Sequence, residues 1–257
     1  MGRARRHRAI MPVAVSVELV PADPPIPKPA PDTRPAPLRE ADAAGFAAIM
    51  GLAREIAGRE PAALVDLVAL LGKKIQADII NRFLAHPAPD PADLEPAPEH
   101  LWFDPRLPLT PTGATLNDLL IRLPRKPRVA LRTAVVLPWP WACGRFVNAL
   151  CSIGPGRRWG PWQEDRQNHF LECWLPLGLC WVGGGNHSLT AGIAQGRGTV
   201  RVEVLRDLTP VYDHVVCDGT SFMRHHDGEV LGPVQSVQAA ALFEIGRLMV
   251  AHGVSAV

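Results

Sequence analysis

Gly183, Gly184 and Gly185 run directly into Asn186, His187 and Ser188, and this stretch gathers the chain's best set of groups for handling an anion. Glycine tolerates positive φ and close backbone approach, so successive N–H groups can converge on a phosphate while the start of a following helix adds its positive dipole end. In that arrangement Gly183, Gly184, Gly185 and Ser188 bind the phosphate and Arg197 offsets its charge. His187, with Asn186 beside it, is the candidate catalytic group, donating a hydrogen bond or acting as an acid. Asn168 and His169, which follow the charged stretch Glu164 to Arg166, and Asp218 are candidates for support around the same pocket. The competing structural reading is that the glycines only reverse the chain, with Asn186 or Ser188 capping a helix.

Such a site needs a strand before it and a helix after it. Leu177, Leu179, Trp181 and Val182 read as a buried strand, Leu189 to Ala194 as a short helix ended by Gly196 and Gly198, and Thr199 to Leu205 as a second strand with Val200, Val202 and Val204 alternating. Upstream, Arg128 to Leu137 reads as one strand stopped by Pro138, after the basic turn Pro124 to Arg128, and Thr115 caps a short helix through Arg122. Asp218 and Gly219 mark a hairpin between Val211–Cys217 and Thr220–Met223, and Ser236 to His252 reads as an amphipathic packing helix. Nearer the start, Phe46, Ile49, Met50, Ala53 and Ile56 recur at helical spacing, while Leu64, Leu67, Val68, Leu71, Ile75, Ile79 and Phe83 draw a second stripe. Gly58 to Pro61 then joins the two as a helical hairpin.

Val182, Gly184, Gly185, Asn186, His187 and Ser188 together resemble the sulfiredoxin and ParB-like family motif, Phe-Gly-Gly-Cys-His-Arg in sulfiredoxins and Asp-Gly-x-His-Arg in ParB-like members. The resemblance extends through the short helix and the Val-rich strand, over some 25 to 30 residues. It implies a fold in which turn and helix start grip nucleotide phosphates, ATP in sulfiredoxins and CTP in ParB clamps, with some members acting as nucleases. Two positions depart from the pattern. Asn186 stands where sulfiredoxin has its nucleophilic Cys, so sulfinic-acid reduction is not implied. Ser188 stands where the family has its Arg, so Arg197, Arg201 or Arg158 has to supply the phosphate anchor.

Of the 27 prolines in 257 residues, 18 fall in the first 112 positions, and the eight between Pro21 and Pro37 favour an extended chain. The expected organisation is a disordered basic, proline-rich arm over 1–37, a helical hairpin and proline-rich connection over 38–112, and an α+β domain over 113–257. Apolar residues at 47% supply a core, and a net charge of +2 excludes a polycation that coats nucleic acid by charge alone, so any such binding is local. No run approaches the length needed to span a bilayer. The five cysteines lack zinc-knuckle spacing and read as reduced, buried small hydrophobes, so no metal is assigned. His214, His225, His226, Asp213 and Asp227 form the alternative metal cluster. Six of the seven tryptophans lie between Trp139 and Trp181, either ordering irregular loops or stacking on bases.

The reading is an α+β protein with a mixed sheet around the glycine turn, ParB/sulfiredoxin-like. It is expected to be cytoplasmic and to bind a nucleotide or nucleic acid rather than a membrane, with or without phosphoester hydrolysis, in bacterial DNA maintenance or a mobile element. A nucleoside triphosphate with Mg is the candidate cofactor. The alternative is a non-catalytic DNA-binding or protein-interaction module in which Arg3 to Arg8 and Arg125 to Arg128 contact phosphates and the glycine turn is architecture.

Overall fold

The computed structural model describes residues 36–86 and 101–256. The proline-rich arm up to residue 35 and the connection over 87–100 lie outside the described residues. Helix α1 (Ala36–Arg59) buries Phe46, Met50, Ala53 and Ala57, and α2 (Leu64–Ala85) buries Leu64, Val68, Ile75, Ile79 and Phe83. Both sets follow the three- and four-residue spacing of a helical stripe. A 3-10 turn at Pro61–Ala63 joins the helices, with Pro61 in its first turn, where a missing N–H costs nothing.

The fold is α+β, built on a five-stranded mixed sheet in the order β1-β7-β4-β5-β3. Its strands are β1 (Ile121–Leu123), β3 (Val135–Leu137), β4 (Phe170–Leu175), β5 (Leu179–Gly184) and β7 (Val204–Asp207). Side chains alternate across it with the period of two that a pleated strand imposes. Val135, Leu137, Trp174, Leu179 and Trp181 point into a core shared with α1, α2 and the long helix α6 (Val237–Ala251). Val136, Leu171, Cys173, Cys180, Val182 and Leu205 point into a second core on the opposite face. That second core is covered by α5 (Asn186–Ala194) and by a two-stranded ribbon of β2 (Arg128–Ala130) and β6 (Thr199–Arg201). A three-stranded antiparallel sheet of β8 (Val215–Cys217), β9 (Ser221–Arg224) and β10 (Val230–Pro233) lies beside α6, and α3 (Leu116–Leu119) and α4 (Cys143–Ser152) complete the fold.

Two expected strands are each divided. Arg128–Leu137 splits into β2 and β3, because a turn in which Thr133 and Ala134 N–H donate to Ala130 O sends the halves to different sheets. Thr199–Leu205 splits into β6 and β7 for the same reason, with Val202 N–H donating to Pro127 O between them. The helix expected from Thr115 to Arg122 stops at Leu119. Thr115 and Asp118 form a capping box at its start, but Arg122 belongs to β1, opposite Arg206.

Helix side chains close the open edges of two sheets. Lys73 donates to Ala134 O at 2.6 Å, and Gln76, buried on the α2 stripe, donates to Val136 O along β3. Gly72 permits this approach, since a Cβ there would lie 2.6 Å from a Val135 methyl. On β8, Arg247 of α6 donates to Val215 O while Glu244 accepts from Cys217 N–H at 2.8 Å. Edge strands left open pair with foreign strands, so both contacts block a template for association.

Candidate functional site

Gly185 alone separates β5 from α5, with φ +79, so the chain turns from strand to helix in one residue and only glycine adopts that conformation without strain. Asn186, His187 and Ser188 therefore form the first turn of α5 rather than a loop ahead of it. Two tryptophans hold the turn from either side: Trp139 Nε1 donates to Val182 O at 2.9 Å and Trp162 Nε1 to Ser188 O at 2.7 Å. Trp162 lies against α5 over Gly192 and Gly198, where a Cβ at either position would collide with its indole.

The space beside the glycines is filled by protein. A Cβ on Gly184 would lie 2.6 Å from Asn168 O, and one on Gly185 would lie 3.1 Å from the same oxygen and run into the His169 ring. The expectation that a phosphate occupies this space is thus corrected: the missing side chains admit the segment Asn168–Phe170, because Phe170 pairs with Gly184 in the β4–β5 ladder.

The polar side chains of the turn are mostly engaged. Asn186 Oδ1 accepts from Trp139 N–H at 2.9 Å. His187 Nε2 accepts from Ala142 N–H at 3.1 Å, which puts the proton of the neutral ring on Nδ1. Burial, and then the nearby Arg145 guanidinium, lower the His187 pKa, so the ring is uncharged at neutral pH. His169 Nδ1 accepts from Asp165 N–H at 2.9 Å; its Nε2 therefore carries the proton and donates to Ser188 Oγ at 2.7 Å, and the Ser188 hydroxyl donates to Gly185 O at 3.0 Å. That chain of donors runs the wrong way for His169 to activate Ser188 as a nucleophile. Burial lowers the His169 pKa as well, against the partial offset of Asp165 and Glu164.

What remains open is a set of donors with aromatic neighbours. The first turn of α5 has no side-chain cap, so the N–H groups of Asn186, His187 and Ser188 keep the unsatisfied character of a helix start. His187 Nδ1–H has no hydrogen-bond partner among the described residues, and the ring is half-buried with Trp141 edge-on at 5.6 Å. Arg145, exposed, stacks over Trp141 at 4.9 Å from the ring centre. Phe170, 46% exposed, stands on the other side of the turn.

The structure brings Asn168 and His169 to the turn but not Arg197 or Asp218. Arg197 follows the far end of α5, about 14 Å from its start at 1.5 Å per residue, and its N–H donates to Gly192 O. Asp218 Oδ1 accepts from Thr220 and Ser221 N–H in the β8–β9 hairpin, whose Gly219 packs on Phe46 in the other core. Arg158 is exposed in the loop after α4, and Arg201 pairs across the ribbon with Arg128. Arg145 and Phe170 were not singled out from sequence for this site. The one available signal was the order Trp141 to Arg145 at the start of a helix; the Phe170–Gly184 pairing spans a hairpin whose register no local pattern reveals.

The His/Asp cluster does not converge: His225 Nδ1 lies against Asp213 O, His226 beside Asp227, and no group of three ligating side chains is placed to hold a metal among the described residues. Among these residues, too, no helix is long and apolar enough to cross a membrane. Cys173, Cys180 and Cys217 are buried as expected, whereas Cys143 and Cys151 sit on the outer side of α4 and are exposed.

A family model described as a family of unknown function, DUF6710, matches residues 33–256. No curated protein and no solved structure matches the chain.

Proposed function

We propose, for a chain that belongs to the DUF6710 family of unknown function, that the start of α5 binds the phosphate of a nucleotide or of single-stranded nucleic acid. The observation that carries this reading is the uncapped first turn of α5 together with the unpartnered Nδ1–H of His187, four donors gathered at one helix start. Arg145 adds the positive charge that Ser188 cannot, and Trp141 and Phe170 offer stacking faces for a base. The neutral His187 is a donor here and not a base, because its Nε2 is held by the Ala142 amide. With His169 also acting as a donor, the reading is of binding without hydrolysis.

The strand, single glycine and helix at β5–Gly185–α5 agree with a ParB/sulfiredoxin-like arrangement, and the DNA-maintenance or mobile-element setting rests on that resemblance. A second reading has the turn as architecture only, favoured by Asn168 and His169 filling the glycine face. Titration with ATP, CTP, inorganic phosphate and a short oligothymidylate separates the two. The first reading expects binding that weakens about tenfold, some 1.4 kcal/mol, in His187→Ala and Arg145→Ala. No binding at millimolar concentration by the intact protein leaves the architectural reading.

A further inference from the structure

The β2–β6 ribbon presents a charged outer face at the opposite end of α5 from the glycine turn. Val129 and Val200 are opposite one another in its ladder and both are buried, so the pairs Arg128/Arg201 and Ala130/Thr199 point outward together. Arg128 and Arg201 stand at one end. Arg132 follows β2 and Arg197 precedes β6 at the other, with the Arg132 stem beside Gly196. Small Ala130 and Thr199 lie between the two pairs of cations. Lys126 extends the first pair.

Glu203 accepts Lys126 at 2.8 Å and lies near Arg201, and Glu164 accepts Arg128 at 2.9 Å, while Arg132 and Arg197 have no carboxylate partner among the described residues. Five cations therefore face two carboxylates on this one ribbon, a larger surplus than the +2 of the whole chain. These side chains carry guanidinium or ammonium groups and none of the ribbon's outward residues is aromatic, so the face is suited to phosphates and offers no stacking for unpaired bases. Cations at both ends of a low centre fit a rounded polyanion that rests across the ribbon.

We propose that this ribbon is a docking surface for the phosphate backbone of a nucleic-acid duplex. The proposal rests on the ribbon's charge and shape and goes beyond the reading of the α5 start, which concerns a nucleotide or a single strand. Contact of Arg132 and Arg197 with one phosphate each releases counterions, about 0.9 in the slope of log K against log salt per contact.

The test is binding of a labelled duplex of about 20 base pairs to the full chain at low and physiological salt. The expected result is salt-dependent binding by the intact protein. It weakens about tenfold and loses about two units of salt slope in Arg132→Ala/Arg197→Ala, and it is kept in Arg132→Lys/Arg197→Lys. Both positions are exposed, and an unchanged thermal midpoint confirms that the double variant is folded. Unaltered duplex binding by the alanine variant overturns the proposal, as does equal binding of poly-glutamate or no duplex binding at low salt. The outcomes are separable from those at α5: loss of duplex binding with ATP binding retained supports the ribbon alone, and loss in His187→Ala with none in the ribbon variant overturns the ribbon while leaving the α5 reading in place.

Discussion

The ring of His169 occupies the space that a side chain on Gly185 would need, sixteen residues away in sequence and directly against it in the fold. The glycine is thus required twice, once for its φ of +79 and once for the ring beside it. Gly185→Ala is expected to destabilise the protein by about 2–4 kcal/mol, combining the left-handed conformation with overpacking. His169→Ala in the same chain should restore part of that loss but not the conformational share. Denaturant unfolding of the two single variants and the double variant measures this coupling; strict additivity would mean that the ring does not bear on position 185.

Stability should fall as pH drops from about 6.5 toward 5. Burial lowers the pKa of His169 and of His187, so the unfolded chain takes up protons that the native state resists. Their stabilising contribution is complete above the unfolded histidine pKa and is lost as pH falls through the lower folded values. Replacing either ring by Gln is expected to reduce the slope of stability against pH by up to one proton in this window. An unchanged slope in His169→Gln would show that its ring titrates alike in both states.

Gly72→Ala is expected to cost about 1–3 kcal/mol, although alanine is the better helix former. The new methyl meets Val135 and lifts α2 from β3, stretching the Lys73 and Gln76 contacts with Ala134 O and Val136 O. Thermal unfolding checks the sign: helix propensity alone would raise the midpoint.

Thiol titration of the native protein should find two reactive groups among the five cysteines, Cys143 and Cys151, with the other three reacting on unfolding. Burial pushes the Cys217 thiol up to about 12, and the adjacent Cys173 thiol together with burial raises Cys180, so thiolate is scarce at those sites. Rapid reaction of more than two thiols under native conditions would contradict either the packing of β4 against β5, if Cys173 or Cys180 reacts, or that of β8 against α6, if Cys217 does.

The helices were readable because their signal is local: Phe46, Met50 and Ala53, or Leu64, Val68 and Ile75, carry the stripe within one segment. The Asp218–Gly219 hairpin was readable for the same reason, as Asp218 bonds only to residues two or three positions on. The strand divisions were not. Val200 and Val204 look like neighbours on one strand, yet they pair with Val129 and Glu172 in different sheets, and nothing within seven residues says so. At the turn, the glycines and the strand and helix around them were legible, whereas the ring that fills their open face comes from another strand's approach. Arg197 looked close because α5 is short in sequence; a helix keeps its two ends apart.

Helix α6 closes the edge of β8 and also supplies the buried surface on which α1 and α2 pack, through Ala239 to Phe243, Ile245 and Met249. During synthesis the ribosome delivers both α1 (Ala36–Arg59) and α2 (Leu64–Ala85) well before that surface, on Val237–Ala251, exists. A nascent chain must therefore leave the α6-facing sides of two amphipathic helices uncovered until almost every other described element has been made. Folding of this core therefore waits on Val237–Ala251, and a chain cut short before Val237 presents to chaperones and proteases apolar stripes that α6 otherwise covers.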